Sequence, residues 1–310
     1  MIQAEKLVKK FDEYTALNGI DCTIQKGCIY GMVGSNGAGK STFLRLITGV
    51  YRPDSGTVKV DGETVFDNPA VKARMAFVPD DLYFLNGSTM DRMAKCYKAA
   101  YPQFDEKRYR FLADSFRLTT NRPIHTFSKG MKRQASIIFA LSCRPDYMFF
   151  DETFDGLDPV MRNLVKALIC EDVEDKQATA IITSHSLREL EDICDQLALL
   201  HEGGVVLESD VQNLKTGLFK VQVAFLQPFT QEQFTGMDIQ HFEQNGSVAQ
   251  MIVRGNRDEA VARLRAMEPV ILDVLPLSLE EVFTYEMKAL GYSFQDVLGK
   301  EAVSDEKKAV

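Results

Sequence analysis

Short apolar runs recur along the first two-thirds of the chain, and helical patterns separate them. The clearest runs occupy residues 28–33 (CIYGMV), 146–150 (DYMFF), 178–183 (ATAIIT) and 196–200 (QLALL). A run of this length without polar alternation is typical of a strand that is buried on both faces. Because such strands alternate with helices, the pattern predicts an α/β domain whose parallel sheet is covered by helices on both sides.

Two kinds of segment depart from this pattern. Residues 2–11, 16–24 and 57–60 alternate apolar and polar side chains, which predicts an antiparallel β layer beside the parallel sheet. Residues 90–100 and 106–116 have helical patterns with no strand pattern between them. They predict a helical insert within the first domain.

The pattern changes again after about residue 214, where alternating strands and two helices predict a small α+β domain. A length of 310 residues agrees with two domains. The predicted organisation is an α/β domain at 1–215 with its helical insert at about 81–145, a small α+β C-terminal domain at 216–298 and a charged tail at 299–310.

Charge and composition narrow the class of protein. The chain carries 36 Lys and Arg against 44 Asp and Glu, a net charge of −8, so no nucleic-acid partner is expected. No apolar run approaches the roughly 20 residues of a membrane helix, and the charged N-terminus lacks the apolar core of a signal peptide. The six cysteines are scattered without a C-x-x-C pair, which argues against a disulfide framework or a zinc site. These features predict a soluble, cytoplasmic protein.

Residues 34–41 (GSNGAGKS) match the phosphate-binding pattern G-x-x-x-x-G-K-[ST] in full, between a predicted strand and a predicted helix. Glycines let the backbone N–H groups turn toward a phosphate. Lys40 adds a positive charge for the β- and γ-phosphates, and the Ser41 hydroxyl is a ligand type that Mg²⁺ prefers. The predicted nucleotide-binding residues of this loop are Gly34, Ser35, Asn36, Gly37, Ala38, Gly39, Lys40, Ser41 and Thr42.

Three further polar residues follow predicted strands. Asp151 and Glu152 come directly after the DYMFF strand, and His185 ends the next one. The carboxyl ends of strands in an α/β sheet face the ligand crevice. Asp151 is therefore predicted to hold Mg²⁺, Glu152 to orient or deprotonate an attacking water, and His185 to contact the γ-phosphate. The alternative is a pair of solvated acids and a structural histidine.

The order of these motifs resembles that of the nucleotide-binding subunit of an ATP-binding cassette (ABC) transporter. The phosphate loop precedes residues 127–131 (FSKGM), the two acids, residues 155–158 (DGLD) and then His185. The ending at 278–283 (SLEEVF) is similar to that of many exporter-type ATPase subunits. The resemblance covers roughly the first two-thirds of the chain and implies a P-loop NTPase core, ATP and Mg²⁺ as cofactors, and ATP hydrolysis.

The resemblance also assigns a nucleotide-base contact. In the family an aromatic residue ahead of the first long strand stacks on adenine, and Phe11 occupies that place here. Tyr14 is the second candidate, and a core-packing role is the alternative for either residue.

The family signature, usually LSGGQ, reads FSKGM here. Ser128 and Gly130 match it, whereas Lys129 and Met131 depart from it. These residues precede a predicted helix, whose N-terminus favours an anion. In the family this second site binds the γ-phosphate held by the other subunit, so two nucleotides lie between two head-to-tail nucleotide-binding domains.

Two acids complete the resemblance. Asp80 stands where the family normally has a glutamine that contacts Mg²⁺ and the attacking water, and it is predicted as a metal ligand together with Ser41 and Asp151. Asp158 resembles the loop aspartate that couples the two sites across the dimer.

The resemblance implies an ATP-binding and ATP-hydrolysing subunit that powers a separate membrane-spanning permease, with Lys40, Glu152 and His185 as catalytic residues. Its partners would be the permease, docked on the helical insert, and a second nucleotide-binding domain, either a copy or a paralogue. It would lie at the cytoplasmic face of the cell membrane. A soluble regulatory ATPase of the same superfamily and a binding scaffold without turnover are the alternatives. A DNA-repair ATPase is excluded because the 88 residues from Lys40 to Ser128 leave no room for a coiled coil.

Overall fold

A computed structural model describes residues 1–275 and 277–292 of the chain. Its backbone separates into two compact units, which divide between Glu208 and Ser209. The predicted tail at 299–310 lies outside the described residues.

The first unit contains alternating strands and helices. In chain order they are β1 (Ile2–Phe11), β2 (Tyr14–Ile24), β3 (Ile29–Val33), α1 (Lys40–Ile47), β4 (Ser55–Val60), β5 (Glu63–Thr64), α2 (Pro69–Lys72), β6 (Met75–Val78), α3 (Met90–Ala100), α4 (Glu106–Ser115), α5 (Lys129–Ser142), β7 (Tyr147–Asp151), α6 (Pro159–Lys176), β8 (Thr179–Ser184), α7 (Leu187–Leu190), β9 (Gln196–His201) and β10 (Gly204–Asp210), the last of which crosses the division.

A six-stranded sheet forms the centre of the first unit, with the strand order β10-β9-β3-β8-β7-β6. Strands β9, β3, β8, β7 and β6 pair in parallel. Every residue of β3, β7 and β8 is buried, as expected for apolar strands covered on both faces. The predicted α/β class and its parallel sheet are confirmed.

A second sheet, ordered β2-β1-β4-β5, is antiparallel throughout. It is the predicted antiparallel layer. Its buried residues, among them Leu7, Ile20 and Val60, share one hydrophobic cluster with Tyr147 and Phe149 of β7. The layer is therefore held to the parallel sheet by apolar packing.

The predicted helices of the insert are present as α3 and α4, and both lie before α5 in the chain. The ring of Phe139 on α5 stacks on Tyr97 of α3 at 4.9 Å and on Tyr109 of α4 at 6.0 Å between ring centroids. Aromatic packing thus fixes the insert to α5.

The second unit is a small α+β fold. Its elements are α8 (Val211–Gly217), β11 (Leu218–Ala224), β12 (Asp238–Asn245), β13 (Val248–Arg254), α9 (Arg257–Ala266), β14 (Ile271–Leu275) and α10 (Leu279–Ala289). Its core is one face of a four-stranded antiparallel sheet, ordered β12-β13-β11-β14. The sequence did not predict β12, because most of its side chains (DIQHFEQN) are polar and exposed.

A polar cluster around Asp61 joins the antiparallel layer to the start of β7. The carboxylate accepts hydrogen bonds from the Met1 ammonium at 2.7 Å and from the Tyr147 hydroxyl at 2.7 Å. It also pairs with Arg74 at 3.1 Å and with Lys26 at 3.2 Å. Partial burial disfavours the charged form, but these donors outweigh it and hold the pKa of Asp61 well below its usual range.

We expect Asp61→Asn to lower the free energy of unfolding by about 2 kcal/mol near neutral pH, because its donors lose a charged acceptor. The folded-state pKa is depressed, so the wild-type advantage is complete above the unfolded-state pKa of about 3.9 and declines as the pH falls below it. Urea unfolding of both proteins at about pH 7 and about pH 3 measures this difference. An advantage of the same size at both pH values would contradict a charge-based contribution.

Candidate active site

The predicted site residues follow three neighbouring strands of the parallel sheet. Val33 at the end of β3 is in register with Ser184 of β8, and Asp151 at the end of β7 is in register with Thr183 of β8. Because the strands are parallel, the loops that follow them begin at the same edge of the sheet. This register brings the phosphate loop, Glu152 and His185 together.

The backbone of the phosphate loop leaves no room for side chains at two of its glycines. A Cβ on Gly34 would lie 2.3 Å from the Leu200 carbonyl oxygen. Gly39 has a φ of 109°, and a Cβ there would lie 2.7 Å from the Ala16 carbonyl oxygen. Gly39 is also the N-cap of α1, so the loop passes directly into a helix N-terminus that favours an anion.

Lys40 is almost fully buried, and its ammonium group contacts three oxygen atoms. Its Nζ donates to the Gly34 carbonyl oxygen at 2.7 Å and to the Ser35 carbonyl oxygen at 3.2 Å, and it lies 3.0 Å from Oε1 of Glu152. The lysine therefore links the phosphate loop to the acid after β7 by a charge-assisted contact.

Asp151 is fully buried at the end of β7. Its Oδ1 accepts hydrogen bonds from the hydroxyls of Ser41 at 2.9 Å and Thr183 at 2.8 Å. Its Oδ2 has no hydrogen-bond partner among the described residues. Burial raises the pKa of Asp151, the two hydroxyls lower it, and the nearby charge of Glu152 raises it again. A buried carboxylate oxygen without a partner, beside a serine hydroxyl, fits a hard cation such as Mg²⁺.

Glu152 has a φ of 46°, a left-handed conformation that non-glycine residues rarely adopt. Its amide donates to the Thr183 backbone carbonyl oxygen at 3.2 Å. Its Oε2 lies 2.9 Å from Nδ1 of His185 and accepts a hydrogen bond from the His185 amide at 3.2 Å. The strained backbone and the contacts with Lys40 and His185 hold this carboxylate at the strand edge, where strain is commonly retained for function.

Phe11 and Tyr14 lie opposite each other in the hairpin between β1 and β2. The ring of Phe11 is 40% exposed and packs edge-on against Tyr51, with 5.5 Å between ring centroids. The Tyr14 hydroxyl donates to the Gly37 carbonyl oxygen of the phosphate loop at 3.0 Å. Both aromatic candidates are therefore exposed in the same turn, and Tyr14 contacts the phosphate loop directly.

Ser128 is the N-cap of α5, and its hydroxyl accepts a hydrogen bond from the Met131 amide at 3.2 Å. A Cβ on Gly130 would lie 3.1 Å from the Gly156 carbonyl oxygen, so the start of α5 packs closely on the loop after β7. The signature thus lies at a helix N-terminus, the position that the predicted anion site requires.

Lys129 of the signature and Asp158 have exposed side chains. Lys129 forms an ion pair with Asp155 at 3.3 Å, and its side chain is 72% exposed. Asp158 is the N-cap of α6 and accepts hydrogen bonds from the Val160 and Met161 amides at 3.0 Å each. The structure therefore gives Asp158 a capping role of its own.

Asp80 is placed differently from the other predicted metal ligands. Its Oδ1 accepts a hydrogen bond at 2.7 Å from Nη2 of Arg133, a buried residue of α5. Within the described part of the chain, Asp80 forms no hydrogen bond with Ser41 or Asp151, whereas those two are hydrogen-bonded to each other.

Sequence reasoning missed Arg133 and Thr183. Thr183 was detectable, because it is the last polar residue of a buried strand beside the one that carries Asp151. Arg133 had a weaker signal, a cation five residues after Ser128 in a chain with an unexpected acid at position 80.

Comparison with known proteins decides the family. Residues 17–155 match the ABC transporter family model. The ABC transporter ATP-binding protein YtrB of Bacillus subtilis (strain 168) is 30% identical over 286 residues, which cover 91% of this chain and 97% of YtrB. The chain belongs to the ATP-binding proteins of ABC transporters. As a member of this family it is an ATP-binding and ATP-hydrolysing subunit, as the motifs predicted.

Further relatives agree with this family. The daunorubicin/doxorubicin resistance ATP-binding protein DrrA of Streptomyces peucetius is 32% identical and covers 70% of this chain, with 67% of its own length matched. A solved ATP-binding subunit of an ABC transporter superposes with a TM-score of 0.64 at 25% identity, over 69% of this chain and 92% of that one. A dimeric cassette in a post-hydrolysis state with ADP and Pi bound shares the fold, with a TM-score of 0.62 at 20% identity over 68% of this chain and 99% of that one.

Cassettes of this family act with a membrane permease and associate in pairs, and the ATP-binding subunits are associated with membranes. In the part of this chain that the structure describes, no helix is long and apolar enough to span a bilayer.

We expect Gly39→Ala to weaken ATP binding by about tenfold or more, because its Cβ meets a backbone oxygen and its φ is unfavourable for alanine. Gly62→Ala is the matched control, since Gly62 also has a positive φ of 82° but open space around its Cβ. Titration with a fluorescent ATP analogue measures the affinity, and circular dichroism checks the fold. Equal affinities for the two variants would contradict the close-approach argument.

Proposed function

We propose that this subunit hydrolyses Mg²⁺-bound ATP to drive a separate membrane-spanning permease. The observation that supports the proposal best is the meeting of the phosphate loop, Asp151, Glu152 and His185 at one edge of the parallel sheet. This is the set of groups that phosphoryl transfer needs: an anion cradle, a metal-binding carboxylate and a base for water.

Lys40 and the phosphate loop would bind the nucleotide phosphates. The loop's N–H groups and the N-terminus of α1 favour the negative charge, and Lys40 exchanges its contact with Glu152 for a phosphate oxygen. Ser41 and Asp151 would hold Mg²⁺, because they are adjacent and one oxygen of Asp151 has no other partner. When bound, the metal neutralises charge on the phosphates. The assignment of Asp80 as a third metal ligand remains a prediction.

Glu152 would act as the general base. A carboxylate that is released from Lys40 can accept a proton from the attacking water. His185 keeps that carboxylate in place through the 2.9 Å contact with its Nδ1 and through its backbone amide. The same side chain, which is 47% exposed, is available to the γ-phosphate.

Ser128 and Gly130 would serve a second nucleotide-binding domain. They lie at the exposed N-terminus of α5, which favours a phosphate. The phosphate loop of the same chain already has donors from Lys40 and from the start of α1. Pairing of two such domains head to tail, with Asp158 at the junction, would place each signature against the nucleotide of the other. A copy of this chain and a paralogue both satisfy that arrangement.

The helical insert is the proposed docking surface for the permease, at the cytoplasmic face of the membrane. A soluble regulatory ATPase is the competing function. The relatives YtrB and DrrA are named as ABC transporter and resistance ATP-binding proteins, which favours the transporter. Co-purification of the tagged chain with membranes rather than with ribosomes tests this choice.

We expect Glu152→Gln to retain ATP binding and to lower kcat for ATP hydrolysis by about 100-fold or more, because an amide cannot accept the proton of water. A phosphate-release assay measures turnover, and titration with a fluorescent ATP analogue measures binding. Glu191→Gln, which also neutralises an acid but lies on a different loop, is the control for charge alone. Near-wild-type turnover of Glu152→Gln would exclude the proposed role.

We expect Phe11→Ala to raise KM for ATP by about fivefold or more at little cost in kcat, because base stacking contributes about 1–3 kcal/mol. Phe11→Tyr, which keeps the aromatic ring, should behave like the wild type. Steady-state kinetics of these variants and of Tyr14→Ala compare the two candidates. A raised KM in Tyr14→Ala alone would move the adenine contact to Tyr14.

A further inference from the structure

A buried arginine links two parts of the first unit that the proposed function uses separately. Arg133 lies in the second turn of α5, five residues after Ser128, and only 1% of its surface is exposed. A charged side chain is rarely buried to this extent unless it has a specific partner.

The partner of Arg133 is the loop that follows β6. Its Nη1 donates to the carbonyl oxygens of Pro79 at 3.0 Å and Asp80 at 3.1 Å, and its Nη2 donates to Oδ1 of Asp80 at 2.7 Å. One guanidinium thus holds two successive backbone carbonyls and a carboxylate of the same loop. Because the guanidinium is planar and its donors are fixed, this contact specifies the position of the loop as well as attracting it.

Asp80 supplies the counter-charge for the buried guanidinium of Arg133. Among the described residues, no other carboxylate forms an ion pair with Arg133. The carboxylate of Asp80 is half exposed, whereas the guanidinium is buried, so loss of the acid would leave a buried cation without a counter-charge. Such a loss is far more damaging than removal of both charges together. The unusual acid at position 80 and the buried arginine at position 133 therefore form a matched pair.

We infer that Arg133 is a positioning residue that makes the loop at 79–81 and the first turns of α5 move as one body, and that Asp80 acts on the reaction through this link. A shift of the loop must either break three hydrogen bonds or carry the N-terminus of α5 with it. The inference rests on the proposed function of Ser128 and Gly130, because it connects the loop next to one catalytic site with the signature that serves the other site.

The pairing of Asp80 with Arg133 leads to an unusual prediction. Asp80→Gln changes the residue toward the one usual in the family, yet we expect it to lower kcat by about 10- to 100-fold, because a displaced loop misplaces the signature. ATP affinity should stay within about twofold, since the phosphate loop is untouched. Arg133→Gln should cause a similar loss, because it removes the same hydrogen bonds. The double variant Asp80→Gln/Arg133→Gln should lose no more kcat than the worse of the two single variants, because both changes break one link.

Steady-state ATPase kinetics of the full chain, with ATP and Mg²⁺ each varied, distinguish this link from metal binding. If Asp80 acts as a metal ligand, Asp80→Gln will raise the Mg²⁺ requirement, and the losses of the two single variants will add in the double variant. Either result overturns the inference. Arg144→Gln is the matched control, because Arg144 also pairs with an acid, the buried Asp172 at 2.9 Å. Neither of these two residues belongs to the phosphate loop. This control should lower thermal stability but should reduce kcat by less than about tenfold, the smallest loss expected of Asp80→Gln.

Hydrogen exchange followed by mass spectrometry tests the link without turnover, so this test remains valid even if the proposed function fails. In Asp80→Asn, a near-isosteric change at a half-exposed residue, exchange should rise together in the loop at 79–81 and in residues 131–134 of α5. A rise confined to the loop would overturn the inference. Absence of ATPase activity in the wild type would instead count against the proposed function.

Discussion

The geometry of the candidate site depends on one buried carboxylate. Asp151 ends β7 in full burial, and two hydroxyls from different elements, Ser41 on α1 and Thr183 on β8, meet on the same oxygen. Burial raises the pKa of this group because the charged form is poorly solvated. A cation at its second oxygen would relieve that cost. The two hydrogen bonds to Oδ1 of Asp151 therefore hold the end of β7, the end of β8 and the start of α1 together. The phosphate loop leads directly into α1, so its position is set by the same carboxylate.

The parallel sheet and the main site could be predicted from the sequence because their signals are local. Buried strands are unbroken apolar runs, and the phosphate loop is a contiguous motif whose glycines meet backbone atoms. Asp151 at the end of β7, Glu152 after it and the histidine after β8 required only one further assumption, that parallel strands end at the same edge. The assignment of chemical roles to these residues remains a proposal.

The features that escaped prediction depend on distant parts of the chain. β12 is a polar edge strand, and nothing in its own sequence separates it from a loop, because only pairing with β13 makes it a strand. Arg133 resembles any helical surface arginine until the loop after β6 is folded onto it. The family position of Asp80 predicts a metal ligand, and its ion pair with a residue more than fifty positions away has no local signature.

The contact between Lys40 and Glu152 joins the proposed phosphate ligand to the proposed base. The two groups lie 3.0 Å apart and form an ion pair, so each carries the counter-charge of the other. In the proposed mechanism, nucleotide arrival draws the lysine away and frees the carboxylate in the same event. Under that mechanism the base would be released only where a phosphate is present, and substrate binding would itself prepare the site.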